Sequence, residues 1–195
     1  MIVEPGRRCA CGGRVTRRSA IAVGGLVGLG LTCGIAGARA EPADERPQPG
    51  DLLVAIDGSV SMALTPNDVP AAPLLAWPME SAGHLVRSGS RLNKIVLVRL
   101  DAGTLKGPTQ ARSADGVVAY SAICPHAGCE VNGWVAEQLI LECPCHNSRY
   151  DPSDAAAIVD GPTTRALAAL PLKIADGKLM VADTFKGRLG IAPTP

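Results

Sequence analysis

Two short motifs that combine cysteine with histidine constrain this chain more than any other feature of its sequence. The first reads Cys-Pro-His-Ala-Gly-Cys over residues 124–129, and the second reads Cys-Pro-Cys-His-Asn-Ser over residues 143–148. Sixteen residues separate His126 from Cys143. Each motif offers one thiolate and one imidazole as metal ligands, plus one further cysteine. The sequence therefore predicts a fold in which two loops face each other around a metal site.

The order of the ligands favours a diiron cluster over zinc. Cys124 and Cys143 would hold one iron on the protein side, and His126 and His146 would hold the other iron near solvent, which is a ligand set known for [2Fe–2S] centres. Structural zinc usually takes two cysteines from one motif and two histidines from the next, whereas cysteine and histidine alternate here. A zinc-stabilised site is the alternative interpretation.

The second cysteine of each motif, Cys129 and Cys145, has no iron left to bind. A disulfide between the two would tie the loops together. The chain-entropy model assigns roughly 3 kcal/mol to a loop of about 15 residues. A disulfide also indicates an oxidising compartment. The alternative is two free buried thiols in a cytosolic protein.

The amino-terminal segment indicates export. Residues 1–18 contain five arginines and one glutamate, and the Arg17-Arg18 pair precedes a Gly-rich apolar run over residues 21–38. The segment resembles a twin-arginine signal, and Ala38-Arg39-Ala40 offers a small-x-small cleavage site. Residues 1–40 are therefore expected to be a signal peptide that directs the protein to the periplasm. A retained inner-membrane anchor is the alternative, since 18 residues are near the lower limit for a spanning helix.

The remaining part of the chain is long enough for one domain. About 155 residues follow residue 40, which is sufficient for an ordinary core. Residues 41–50 are polar and Pro-rich and are expected to be a linker. Residues 1–40 carry six arginines and one glutamate, so the rest has thirteen basic and seventeen acidic residues and a net charge of −4. That charge disfavours nucleic acid as a partner.

Short β-rich segments separated by turn residues predict an all-β fold, an antiparallel sandwich or small barrel. Asp-Gly turns predict two hairpins. Three further segments are predicted to be strands, and two of these lead directly into the motif loops. Two Ala-rich stretches are expected to form short helical turns, the second one bounded by Pro162 and Pro171. The hairpins are 52–56 with 60–64 and 172–175 with 178–182; the strands are 94–100, 117–121 and 139–142; the Ala-rich stretches are 155–159 and 164–170.

Residues from about 94 to 190 resemble Rieske iron–sulfur proteins of the disulfide-containing kind, which include the Rieske subunit of quinol:cytochrome c reductases. The resemblance implies a Rieske domain over 94–195 with cluster loops at 124–129 and 143–150, preceded by a β extension over 51–93. It implies that a [2Fe–2S] cluster is the cofactor. The implied ligands are Cys124, His126, Cys143 and His146, and the implied disulfide joins Cys129 to Cys145.

The same resemblance assigns roles to residues outside the ligand set. Ser148 and Tyr150 match two hydroxyl donors that hydrogen-bond the cluster sulfurs and raise the reduction potential, because donors stabilise the more negative reduced state. Gly161 and Pro162 match the start of a loop that covers the cluster. The second proline of that family loop is absent, and Thr163-Thr164 follows instead.

A narrower resemblance is to the small subunit of arsenite oxidase. It covers residues 118–126, the Gly-x-x-Thr of residues 161–164 and Gly-Arg-Leu at residues 187–189. It implies a large molybdopterin-containing redox subunit as the partner and a periplasmic cytochrome or copper protein as the electron acceptor.

These observations predict one-electron transfer by a subunit that is not catalytic alone, and no residue is assigned a catalytic role. The first alternative is a quinol-oxidising subunit that works with a membrane cytochrome b. Ala127 argues against it, because that family usually carries leucine there. The second alternative is a zinc-stabilised, non-redox binding module. The chain has three histidines, too few for both this cluster and the mononuclear iron of an oxygenase.

Overall fold

The computed structural model describes residues 41–57 and 62–191, which form two antiparallel β-sheets with one short α-helix. The all-β prediction is confirmed. The expected signal or anchor segment, residues 1–40, lies outside the described residues. None of the helices in the described ranges has the length and apolar character needed to cross a lipid bilayer.

The larger sheet has six strands in the order β4-β3-β2-β1-β10-β9, and every neighbouring pair is antiparallel. Strands from the amino-terminal, central and carboxyl-terminal parts of the chain therefore share one sheet. Their bounds are β1 Leu52–Ala55, β2 Leu74–Met79, β3 Ile95–Arg99, β4 Val117–Ser121, β9 Leu172–Ala175 and β10 Lys178–Val181.

The continuous apolar sequence of β3 and β4 follows from burial on both faces. Val96 and Tyr120 lie in a core that also contains Cys124 and Cys143, the two cysteines predicted as ligands. Ile95 and Leu97, on the opposite face of β3, lie in a second core. Because successive side chains of a strand point to opposite faces, both sets of positions must be apolar, and the alternating pattern of a half-exposed strand is absent here.

The first predicted cluster loop leads from the larger sheet into the smaller one, and the second lies within the smaller sheet. Its four strands follow one another in chain order, β5 Gly133–Val135, β6 Ile140–Cys143, β7 Ser148–Asp151 and β8 Ala157–Asp160, with an irregularity in register between Arg149 and Tyr150. The α-helix α1 spans Gly107–Arg112. Short 3₁₀ turns occur at Pro42–Asp44, Pro66–Asp68, Arg91–Asn93 and Ala102–Thr104.

The three predicted strands and one of the two predicted hairpins are confirmed, whereas the other hairpin and both predicted helical turns are wrong. Strand β3 and the β9–β10 hairpin form as predicted, and the Asp176-Gly177 turn has positive φ at both residues, as a two-residue hairpin requires. The hairpin of 52–56 with 60–64 is wrong: β1 pairs with β2 and β10, and residues 62–64 form no strand, while residues 58–61 lie outside the described part.

The Ala-rich stretches are not helical. Residues 157–160 form strand β8, which pairs with β7. Residues 164–170 contain no helix, and Ala169 forms isolated bridges to Tyr120 and Lys186 instead. Sheet pairing in the first stretch and isolated bridges in the second have overridden the high intrinsic helix propensity of alanine.

Residues 41–50, expected to be a linker, form hydrogen bonds with the domain. Buried Arg87 donates to Asp51 at 2.8 Å and to Glu45 at 2.9 Å. Buried Asn93 donates to the carbonyl of Glu45 at 2.7 Å. This polar network fixes the segment beside the start of the six-stranded sheet.

Candidate metal centre

The two motif loops have the same backbone construction. The first begins at Cys124, shortly after β4, and the second begins at Cys143, the last residue of β6. Gly128 donates its N–H to the Cys124 carbonyl, and Asn147 donates its N–H to the Cys143 carbonyl, each at 2.9 Å. Both donors have positive φ, which glycine and asparagine tolerate best. Each loop is thus a tight turn that starts at a cysteine and ends four residues later.

The two loops bury their thiols and expose their imidazoles. Cys124 and Cys143 are each 1% exposed and have free thiols, whereas His126 and His146 are exposed. The imidazole ring centroids lie 4.8 Å apart, with the rings nearly perpendicular. The structure therefore brings the four predicted ligands together in the predicted arrangement, sulfur towards the core and nitrogen towards solvent.

A disulfide joins Cys129 to Cys145 and so connects the two loops, as predicted. The sulfurs of Cys129, Cys143 and Cys145 lie within 4.8 Å of one another. Two of these three sulfurs are bonded to each other, so this trio is not a ligand set by itself. Cys143 is the member of the trio that stays available to a metal.

The two free thiols differ in their acidity. Burial raises the pKa of Cys124, but hydrogen bonds from the Tyr150 hydroxyl and the loop backbone more than offset burial, and the net pKa is lowered. The pKa of Cys143 is raised, chiefly by burial and further by the neighbouring Cys124 thiol. Two thiolates at this depth need a positive partner, so the pair fits a metal centre.

Two buried hydroxyls face this site. The Tyr150 hydroxyl lies 3.2 Å from Cys124 Sγ. Burial, with the Cys124 thiol adding to it, raises the pKa of Tyr150 above its ordinary value, so Tyr150 stays protonated and donates to the sulfur. Ser148 Oγ is fully buried and has no hydrogen-bond partner among the described residues, although Ser148 lies near enough to lower the pKa of Cys124. A buried hydroxyl without a partner is unusual, and sulfide or thiolate acceptors between the loops would satisfy it.

The predicted covering loop packs directly on the second motif loop. Gly161 has φ +90°, and a Cβ at this position would lie 2.5 Å from Ser148 Cα and 2.7 Å from the Asn147 carbonyl oxygen. Glycine is therefore required for this approach. Gly161 and Pro162 are both exposed, on the outer side of the motif loop.

One residue that contacts the site was not predicted from the motifs. The Arg91 guanidinium donates to the carbonyl of Gly128 in the first loop at 2.5 Å. Arg91 lies in the 3₁₀ turn before β3, 33 residues ahead of Cys124 in the sequence. A lone arginine in a polar turn carries no sequence signal for such a contact.

Two buried thiols, two exposed imidazoles and an unsatisfied buried hydroxyl on loops joined by a disulfide define an iron–sulfur protein with mixed sulfur and nitrogen ligands. The comparison with protein families agrees, since residues 87–171 match the Rieske [2Fe-2S] domain. The chain belongs to the Rieske family, and a [2Fe–2S] cluster is its cofactor.

Individual relatives are subunits of respiratory complexes. A Haloferax mediterranei protein named as a respiratory nitrate reductase Rieske subunit is 45% identical over 76 residues, which are 38% of this chain and 34% of that protein. The match thus spans about a third of that relative's length. The cytochrome bc1 complex Rieske iron–sulfur subunit of Streptomyces lividans is 31% identical over 148 residues, 73% of this chain and 86% of the relative.

Among solved structures, the soluble domain of the Rieske protein II (soxF) from Sulfolobus acidocaldarius is similar with 23% identity and a TM-score of 0.42. The match covers 52% of this chain and 67% of that one.

Proposed function

We propose that this chain transfers single electrons in the periplasm as the small subunit of a complex with a large molybdopterin-containing oxidoreductase. Cys124 and Cys143 would hold one iron of the cluster, and His126 and His146 would hold the other. The bound cluster supplies one-electron redox chemistry. The protein residues bury its sulfur side, orient the imidazoles and provide hydroxyl donors.

The exposure of both imidazoles beside two buried thiols is the observation that carries the electron-transfer role. His126 and His146 are the ligands that a partner protein can reach, because Cys124 and Cys143 are 1% exposed. Electron transfer between proteins requires such a short path to the surface. The neighbouring Ala127 is also exposed and is small enough to let a partner approach closely.

Three observations support the choice of partner and compartment. The segments at residues 118–126, 161–164 and 187–189 resemble the small subunit of arsenite oxidase. The disulfide between Cys129 and Cys145 fits an oxidising compartment such as the periplasm. The Arg17-Arg18 pair fits export in the folded state.

The second candidate is a quinol-oxidising subunit that acts with a membrane cytochrome b. The similarity over most of the chain to the Streptomyces lividans subunit favours it. Ala127 is the observation against it, since alanine lacks the apolar bulk that leucine contributes at this position in the quinol-oxidising family.

Purification of the tagged full-length protein from its native host tests the choice between the two. We expect a large partner with stoichiometric molybdenum, recovered from the periplasmic fraction. Recovery of a haem-containing membrane cytochrome b without molybdenum would establish the second candidate instead. Zinc without iron in the purified chain would contradict both.

A pair of matched variants tests whether partners dock at the imidazole end. Ala127→Glu places a charge beside His126, whereas Ala136→Glu places the same charge in the exposed β5–β6 turn, at the opposite end of the four-stranded sheet. Ala127→Glu should slow electron transfer to the partner at unchanged iron content. Equal rates for both variants would show that docking occurs elsewhere.

A further inference from the structure

Arg165 lies between the cluster-covering loop and a distant segment of the chain. Its guanidinium donates to the carbonyl of Arg188 at 3.0 Å and also to the carbonyl of Gly190. No side-chain carboxylate accepts from Arg165 among the described residues. An arginine that donates to two main-chain carbonyls fixes the position of that backbone segment. Such a contact does not depend on a flexible partner side chain.

The segment that Arg165 contacts is itself firmly placed. Ala169 and Lys186 exchange backbone hydrogen bonds of 2.9 and 2.7 Å just before it. Gly187 has φ +113°, and a Cβ there would lie 3.2 Å from Ala168 Cα. Gly190 has φ +65°, and a Cβ there would lie 3.0 Å from a methyl carbon of Leu92. Both glycines are therefore needed for the path of residues 187–190 across the domain.

The other end of the covering loop is fixed to the cluster site. Gly161 packs against the backbone of Asn147 and Ser148, as described above. Between the two ends, Thr163 is 6% exposed and donates its hydroxyl to the Arg165 carbonyl at 3.1 Å. Thr163 also lies near enough to the Tyr150 hydroxyl to lower the pKa of Tyr150. The loop thus contacts the second motif loop at Gly161 and approaches the Tyr150 hydroxyl at Thr163.

We propose that Arg165 is a positioning residue: with residues 187–190 it forms a clamp that holds the covering loop, residues 161–165, over the cluster site. The clamp takes the place of the second proline that this loop lacks, because it restricts the loop by contacts at its far end. Leu92, on which Gly190 rests, follows Arg91, whose guanidinium holds the first motif loop. The clamp therefore contacts the same 3₁₀ turn, Arg91–Asn93, that is hydrogen-bonded to the first motif loop.

Hydrogen exchange of the holoprotein reports on the loop directly, independently of any redox partner. Arg165→Ala removes both charge-assisted hydrogen bonds, so we expect the amides of Gly161 and residues 163–165 to exchange about tenfold faster. Exchange in β9 and β10 should be unchanged, which would show that the domain is folded. Arg165→Lys keeps the charge and can still donate to one carbonyl, so its loop exchange rate should lie between those of the wild type and Arg165→Ala.

The reduction potential provides the second measurement. A loosened loop admits water to the Tyr150–Cys124 pair and weakens the donor to sulfur, so the midpoint of Arg165→Ala should be lower than that of the wild type. Arg188→Ala is the charge control, since Arg188 contributes its carbonyl and not its exposed side chain. Arg188→Ala should leave both loop exchange and midpoint unchanged.

A second variant alters the clamp in residues 187–190 instead of at Arg165. Gly190→Ala should displace residues 187–190 from Leu92 and reproduce the faster loop exchange. Its control is Gly177→Ala, which has a similar positive φ of +72° but nothing within 4 Å of the added Cβ. Because both changes break one unit, the combination of Arg165→Ala with Gly190→Ala should exchange no more than about twofold faster than either alone.

Three results would overturn the proposal: wild-type exchange of residues 161–165 in Arg165→Ala, an equal drop in midpoint for Arg188→Ala, or fully multiplicative effects of Arg165→Ala and Gly190→Ala. The second result would assign any effect to charge alone. The third would mean that the two residues act independently.

Discussion

The two sheets of this molecule are stabilised by different interactions. The central strands of the six-stranded sheet bury large apolar side chains such as Leu53, Ile95 and Leu179, while its edge strand β9 leaves Ile174 47% exposed. In the four-stranded sheet, the edge strand β8 leaves Ile158 and Val159 41% and 50% exposed, and the loops at its end are held by a disulfide and by single hydrogen bonds. Apolar burial therefore maintains the scaffold, whereas covalent and polar contacts fix the cluster site.

This difference matters for function because the site must stay open at one end. The imidazoles of His126 and His146, which we propose as ligands, cannot be surrounded by a packed core if a partner is to reach them. The cross-link between Cys129 and Cys145 and the donors from Arg91 and Tyr150 supply rigidity without covering the imidazoles. Changes in the four-stranded part should therefore affect the cluster, and changes in the six-stranded part should affect global stability.

The largest effect should come from removing a ligand. His126→Asn takes away one of the four proposed donors, and we expect complete loss of the visible absorption and of stoichiometric iron. The exchange-protected amides of the six-stranded sheet should persist, because their protection depends on apolar burial. His84→Asn is the matched control, since His84 is exposed and has positive φ, which asparagine tolerates. A loss of exchange protection in both sheets of His126→Asn would show that the six-stranded sheet also depends on the bound cluster.

The next effect should be confined to the scaffold. Asp51→Asn removes the buried carboxylate partner of Arg87 and leaves the guanidinium with the more exposed Glu45 as its remaining carboxylate partner. Because that partner persists, we expect a cost of about 3 kcal/mol, the lower end of the range for breaking a buried ion pair. Urea unfolding should show this loss while the reduction potential stays the same. Glu137→Gln, in an exposed turn, should change the free energy of unfolding by less than about 0.5 kcal/mol.

Removal of the disulfide should destabilise the site more than the scaffold. The double variant Cys129→Ser with Cys145→Ser releases a cross-link between residues separated by 16 positions, and the chain-entropy model predicts a cost of about 3 kcal/mol. Hydrogen exchange should locate the loss in the two motif loops. Wild-type protein treated with dithiothreitol should behave in the same way, and equal loosening of β9 and β10 would contradict the assignment.

How much the sequence predicts also differs between the two sheets. The motif loops could be predicted, because ligand chemistry fixes both the residue types and their spacing. Strand β3 and the β9–β10 hairpin could be predicted from β-branched residues and an Asp-Gly turn. The pairing of β1 with β2 and β10 could not, since a strand followed by Asp-Gly equally favours a local hairpin, and the choice depends on partners far away in the chain.

The contacts that position the site were also beyond prediction from local patterns. Arg91 and Arg165 reach backbone carbonyls 37 and more than 20 residues away, respectively. Strand β8 shows the same limitation, because its Ala-rich start favours a helical turn until pairing with β7 is known. Long-range pairing decides these features, and only short-range chemistry is visible in the motifs.

The smallest effect should be a difference in midpoint potential between variants of the two tyrosines of the chain. Tyr120 lies in the six-stranded sheet and Tyr150 in the four-stranded sheet. Both are buried: the Tyr150 hydroxyl contacts Cys124 Sγ at 3.2 Å, and the Tyr120 hydroxyl donates to the Pro152 carbonyl at 2.7 Å. Donors to sulfur stabilise the more negative reduced state, so Tyr150→Phe should lower the midpoint potential by about 60 mV, the one-electron equivalent of a tenfold change. Ser148→Ala should act in the same direction.

Tyr120→Phe is the control for this pair, because it removes a hydroxyl of the same kind that does not contact sulfur. It should reduce the free energy of unfolding by about 1 kcal/mol and leave the midpoint unchanged in protein-film voltammetry. Equal midpoints for wild type, Tyr150→Phe and Ser148→Ala would show that these hydroxyls do not act on the cluster. A shift in Tyr120→Phe as large as that in Tyr150→Phe would show that core packing, and not a donor to sulfur, sets the potential.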